Sequence, residues 1–368
     1  MKGGETMLKR ILSLFLLLIL IAVPVATFVV TPPEKGQLAT LQGVEEYLKD
    51  NLPFGSVLKN IGSGVLLQSG QKEKQNVFCT EDGLVANYWP QQDKKIRDAN
   101  TNAIIDFAED HDVPVCSVVI PTAAAIKQKT LPDNAPLYNQ KEAIAEIARE
   151  MEGKVTAADV YSTLYQGYDE SDEYLYYRTT DRLTTLGGYR VYDAVAERLR
   201  LSPLPLRRFS KEYVVHDYYG DLTESWGEVR VDGDILTIFH NTDTQNSCLL
   251  ELERADGSTA DYDTMYPTDR VEEDPFSIFL GGESAGFELT VMGSEEEREL
   301  LVFGDSSVQN VVPFLTGHYS RITYCNLEAA SRTRLKKLEL DGYDQVLFVY
   351  GIESYCSSES IQNIDAIP

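Results

Sequence analysis

The chain has 368 residues, 43% of them hydrophobic, which suits one large or two modest domains with a real core. Its formal net charge of −25 repels nucleic acid and anionic lipid surfaces and argues against both as ligands. The five cysteines form no Cys-x-x-Cys pair and the four histidines have no metal-ligand spacing, so neither a metal site nor a cofactor is expected.

At the N-terminus Lys9 and Arg10 precede an apolar run, residues 11–30, broken only by Ser13, Pro24 and Thr27. About 20 apolar residues cross a bilayer as a helix, and basic residues on the amino side predict a cytoplasmic N-terminus with the remainder exported. Cleavage after Ala26 would place Pro24 where a signal peptidase wants a small residue. An uncleaved signal anchor over residues 1–30 is therefore expected ahead of secretion after cleavage. Residues 31–94 read as a stem, a helix ending before Pro53 and a hairpin over VFCTEDGLV, residues 77–85. From residue 95 to 203 strands and helices alternate. Ile96, Ala99, Ile104, Ile105 and Phe107 mark a helix, VPVCSVVIP (residues 113–121) reads as a buried parallel strand, and Tyr189, Val191, Tyr192, Val195 and Leu199 mark a later helix. Residues 204–292 differ: short strand-like pieces lie between acidic, glycine-containing turns, with VDGD (residues 231–234) as a hairpin turn, and they read as a β-rich insertion. Alternation resumes over residues 293–368. The whole predicts an α/β domain with a parallel sheet.

In that last part LLVFGDSSVQNVVPFL (residues 300–315) has the outline of a buried strand, a tight turn and a helix with Val308, Val311, Val312 and Leu315 at helical spacing. A serine on such a turn stands at the carboxyl edge of a sheet, where helix N–H groups can hold an oxyanion. Ser306, after Asp305, is a candidate nucleophile; alternatively it only caps the helix.

Four segments in order, VVIPTAAAI (118–126), YYRTTDRLTTLGGY (176–189), FLGGESA (279–285) and GDSSVQNVVPFLTGHYSRI (304–322), resemble the DHHW family. These are extracytoplasmic proteins of Gram-positive bacteria, similar to the SGNH-hydrolase-like domain of alginate O-acetyltransferases. The resemblance implies a flavodoxin-like, three-layer SGNH fold and a Ser-His-Asp triad with Ser306 as nucleophile. It also implies work on acetylated polysaccharide of the cell envelope. The Asp-His-His-Trp tetrad that names the family lies between YYRT-like and TTLGAY-like flanks. Here YYRT and TTLGGY are present, and between them stand Thr180, Asp181, Arg182 and Leu183. A family strand ending Asp-Leu-Arg-Tyr-Tyr likewise corresponds here to Asn326-Leu327-Glu328-Ala329-Ala330.

A serine hydroxyl needs a neighbour that takes its proton. Arginine stays protonated and offers no acceptor, so Arg182 cannot be the base. A carboxyl base at Asp181 would need a strongly raised pKa. His318 is separated from Ser306 along a helix and His111 precedes a strand at the other sheet edge, leaving His216 and His240 of the insertion as relocated bases. Arg182 near a helix N-terminus would favour an anion. Arg182, Arg178 and Tyr177 are candidate ligand-binding residues, although alternating tyrosines in a strand are most often packing residues. The expected protein is a catalytically degenerate, membrane-anchored envelope-glycan binder or partner of a polysaccharide-modifying protein. The alternative is an active serine O-acetyl esterase or O-acetyltransferase with a relocated base.

Overall fold

Aliphatic runs with no polar interruption become the interior strands, and the glycines and acids between them become turns. The structure, a computed structural model, describes residues 22–23, 25–33, 40–52, 54–88, 94–171, 173–242 and 247–368. Two units form, residues 1–71 and 72–368. In the first, helices α1 (Leu41–Asn51) and α2 (Gly55–Gln68) follow a helical segment at residues 25–30. Tyr47 stacks on Phe28 and its hydroxyl donates to the carbonyls of Thr27 and Thr31. Most of the expected anchor lies outside the described residues; among those described, no helix is long and apolar enough to cross a membrane.

The second unit begins with a small antiparallel sheet, β1 (Glu73–Lys74), β2 (Val77–Thr80) and β3 (Gly83–Ala86), so the expected hairpin belongs with the α/β part and not with a stem. Then come α3 (Lys95–Asp110), β4 (Val115–Ile120), α4 (Gln140–Glu150), β5 (Thr156–Ala158), α5 (Val160–Ser171) and α6 (Thr185–Arg198). A two-stranded ribbon, β6 (Phe209–Tyr218) and β7 (Asp234–Asn241), precedes β8 (Ser247–Glu253), β9 (Thr259–Thr264) and β10 (Gly286–Val291). The chain closes with β11 (Glu299–Gly304), α7 (Val308–Leu315), β12 (Arg321–Cys325), β13 (Gln345–Gly351) and α8 (Ile352–Ser357).

The main sheet has the order β5-β4-β13-β11-β12-β10-β8-β9 among the described residues. The first five strands pair in parallel, and β10, β8 and β9 extend the sheet antiparallel. This corrects two expectations. The sheet is mixed, and three strands of the expected insertion are part of it. Their alternation of buried and exposed residues, complete in β8, is the pattern of a sheet with one solvated face. The parallel strands, taken in chain order, stand 2-1-5-3-4, unlike the 2-1-3-4-5 of a flavodoxin. If counting starts at β11 and runs on from β13 to β4, the order becomes 2-1-3-4-5. The arrangement is thus the doubly wound one with its chain start moved.

Leu300 to Phe303 of β11 and Val346 to Val349 of β13 are fully buried. Covering each such side chain contributes about 1.5–3 kcal/mol. On one side Phe107 of α3 meets Phe303 and Phe348 edge-on; elsewhere Phe314 of α7 packs among Tyr189, Tyr192, Phe209 and Phe239. The VDGD stretch is not a hairpin turn: fifteen residues, 219–233, connect β6 to β7, and Asp234 opens β7 fully buried.

Candidate functional site

Gly304 ends β11 where the chain must turn within reach of β13. A Cβ there would stand 2.3 Å from the Val349 carbonyl oxygen and 2.4 Å from Val308 Cγ2, so only glycine lets strand and helix approach this closely. Asp305 then fixes the turn: Oδ1 accepts from the Ser307 N–H at 2.9 Å and Oδ2 from the Gly351 N–H at 2.8 Å. Asp305 therefore braces the turn that leads into α7 and ties the ends of β11 and β13 together. The capping role considered for Ser306 does not form: α7 has no side-chain cap hydrogen bond among the described residues. Ser306 is exposed, and neither its hydroxyl nor its N–H makes a hydrogen bond among the described residues.

Ser306 lines a cavity of about 130 Å³ with residues from the carboxyl ends of β4, β11 and β13. That is where open parallel sheets place ligand sites. Pro121 and Thr122 follow β4, Glu353 follows β13, and Asn310 comes from the first turn of α7. The tetrad's place reaches the same cavity: Asp181, Arg182 and Leu183 line it, together with Tyr176, while Thr180 is buried and does not. Residues 175–177 and 182–184 form a short antiparallel pairing, Tyr176 opposite Leu183, with Tyr177 N–H donating to Arg182 O and Thr184 N–H to Leu175 O. The tip of this loop is held by Asp234, which accepts from the N–H groups of Arg178 (2.8 Å) and Thr179 (2.9 Å) and from the hydroxyls of Thr179 and Tyr174. An acid of the expected insertion thus sets the geometry of the loop.

The remaining expected ligand residues are elsewhere. Tyr177 is 1% exposed and packs edge-on against Tyr174 and Phe276, a core position. Arg178 lies over the Tyr174 ring at 4.6 Å and does not line the cavity. Arg182 does line it, but its guanidinium lies over Phe276 at 4.6 Å and pairs with Glu283 at 3.4 Å. Because three carboxyls also line the cavity, Asp181, Asp305 and Glu353, the anion-favouring spot expected from Arg182 is not what forms. Burial raises the Asp181 carboxyl, and repulsion from Asp221 adds to it, against a lowering by Arg182. Burial, with repulsion from Asp181, Asp305 and Asp221, pushes Glu353 up to about 7.

None of the four histidines lines the cavity. His240 is partly exposed on β7 with Glu212 at 2.7 Å; His216 stacks on Tyr213 of the same ribbon. His318 is buried, 2.7 Å from the Tyr192 hydroxyl, and burial lowers its pKa. His111 contacts the carbonyls of Phe107 and Pro368. A second cavity of about 340 Å³ shares Asp305, Ser306 and Ser354 with the first and is lined by Asn326, Glu328 and Ala329, the run that replaces Asp-Leu-Arg-Tyr-Tyr. Tyr350 also lines it, with a buried hydroxyl that has no hydrogen-bond partner among the described residues. Both sets of exchanged residues therefore border Ser306. Glu353 and Asn310 escaped sequence reasoning: Asn310 lies in the 304–322 segment but has no expected role there, and only the position of Gly351 after a strand parallel to β11 points to Glu353.

Fold and site together define an α/β protein with a serine on a strand–turn–helix edge, at the carboxyl end of a parallel sheet. The family model for DHHW protein matches residues 93–325, and the chain belongs to that family. Among solved structures it is similar to a DHHW family protein from Eubacterium siraeum, at 19% identity and TM-score 0.64, covering 80% of this chain and 98% of that one. Bacillus cereus PatB1 with a sulfonyl adduct matches at 15% identity and TM-score 0.64, covering 78% and 97%. The O-acetyltransferase domain of Pseudomonas putida AlgJ matches at 13% identity and TM-score 0.46, covering 77% and 93%. At these identities the likeness is one of fold. No curated protein matches the sequence.

Proposed function

We propose that this chain is an extracytoplasmic, SGNH-like member of the DHHW family that binds a cell-envelope polysaccharide at Ser306 without turning it over, held to the membrane by its N-terminal apolar run. The observation that carries the reading is chemical. The segment that supplies the family's histidine carries Thr180, Asp181, Arg182 and Leu183; three of these line the Ser306 cavity and none can take a proton as imidazole does. Such a protein would present or retain glycan for a polysaccharide-modifying partner.

The test is acetyl-ester turnover with a chromogenic acetate and with O-acetylated glycan, comparing the chain with Ser306→Ala. The expected rates are equal and indistinguishable from buffer; a rate abolished by Ser306→Ala overturns the reading. Localisation is tested separately: the chain is expected in the membrane fraction and open to added protease on intact cells.

One observation favours the alternative, a serine O-acetyl esterase or O-acetyltransferase. Glu353, held near neutrality by burial, lines the Ser306 cavity, and a carboxyl poised there can serve as a general base. That alternative requires turnover lost in both Ser306→Ala and Glu353→Gln.

A further inference from the structure

Asp181 and Glu353 both line the cavity and come from different segments, the 176–184 loop and the turn after β13. Asp305 is there too, but its two oxygens are taken by backbone N–H groups. The cation of the lining, Arg182, is engaged by Phe276 and Glu283. Asn310, 6% exposed, lines the same cavity, and its buried amide oxygen has no hydrogen-bond partner among the described residues. A buried acceptor left open costs about 1–3 kcal/mol, so such a group is retained where something else satisfies it. The lining thus offers two carboxyls and a buried amide oxygen as acceptors, beside the Ser306 hydroxyl, which can donate or accept. What satisfies them is a donor carrying positive charge.

We propose that this cavity recognises a protonated primary amine, as borne by a hexosamine whose nitrogen is not acetylated. The proposal rests on the glycan-binding reading above and names the sugar it selects. An ammonium group has three donors and no acceptor, which complements the set. A metal ion fits less well, since among the described residues no three His, Cys, Asp or Glu side chains are grouped to hold one. At about 130 Å³ the cavity takes one small group, and the adjoining 340 Å³ cavity gives the polymer room to continue. Burial that holds both carboxyls up also means that a bound cation would relieve an existing electrostatic cost.

The experiment is calorimetric titration of the full chain in detergent, near pH 6.5, where sugar amines carry their proton, with a β-1,4-linked glucosamine tetramer and with its fully N-acetylated counterpart. The amine tetramer is expected to bind at least about tenfold more tightly. Glu353→Gln, and independently Asp181→Asn, should bring the two ligands within about twofold, whereas Glu272→Gln, an exposed acid away from the cavity, should leave the preference intact. Two variants guard against misfolding of one, with thermal unfolding as the check. Equal loss in Glu272→Gln would mean diffuse attraction to an acidic chain and would overturn the proposal. Equal or tighter binding of the acetylated tetramer would overturn it while leaving the glycan-binding reading standing. Failure of both ligands to bind would overturn both.

Discussion

Ser306 stands at the end of β11 beside a cavity whose lining holds no histidine among the described residues. Its hydroxyl is exposed and unengaged, and the proton acceptors sharing its cavity are carboxyls. PatB1 carries a sulfonyl adduct in its structure, and sulfonyl reagents capture nucleophiles whose proton is drawn off. Ser306 is expected to stay unlabelled by a sulfonyl fluoride after an hour near pH 7.5 in intact-mass spectra; stoichiometric labelling would mean that a base is at work. Asp305 next to it is a positioning residue. Its carboxylate joins the start of α7 to the end of β13 through two charge-assisted hydrogen bonds. Asp305→Ala is expected to cost about 2 kcal/mol, read from the urea midpoint, and Asp305→Asn about half that.

Among the elements, the approach of α6 to α7 determines where Asn310 stands. A Cβ on Gly188 would lie 2.1 Å from the Asn310 carbonyl oxygen, so the helices meet through a glycine where the family-like TTLGAY segment has alanine. Gly188→Ala is expected to lower stability by about 2–3 kcal/mol, because backbone must move and not merely a side chain. The loop over residues 176–184 is an element held from outside itself, by Asp234 at the start of β7. Asp234→Ala leaves several buried donors open. It should cost about 3–5 kcal/mol, with amide exchange accelerated first in residues 178–184. If that loop keeps its protection while the whole protein weakens, Asp234 is a general stabiliser and not the loop's anchor.

For the molecule as a whole, charge is the dominant variable. A chain at −25 repels itself, and salt screens that repulsion. One acid adds a dependence of definite sign. Glu353, at about 7 against an ordinary 4.5, binds its proton more tightly folded than unfolded. Stability therefore falls as pH rises from about 4.5 to about 7 and is level above that. For a side chain that keeps partial exposure the loss is expected to be about 2 kcal/mol. Unfolding midpoints of wild type and Glu353→Gln, compared from pH 5 to 8, should diverge by that amount and then run parallel; curves parallel throughout would mean that Glu353 titrates as in water.

The order of strands and helices after residue 95 was legible because hydrophobic period is local: a buried parallel strand is a continuous apolar run and a packed helix repeats its apolar residues every three or four. Ser306 on its turn was legible for the same reason, since Gly304-Asp305-Ser306 sits between two such patterns. The expectation that Thr180 to Leu183 stand in the tetrad's place rests on its flanks alone. Which strands neighbour one another is decided by long-range pairing, and no local pattern carries it. The sequence therefore could not show β13 between β4 and β11, nor β8 to β10 joining the sheet. Nor could it show Asp234 beneath the loop or Glu353 beside Ser306. A carboxyl acquires a raised pKa only when burial and neighbouring charges are assembled around it. Chemistry of that kind belongs to the tertiary structure.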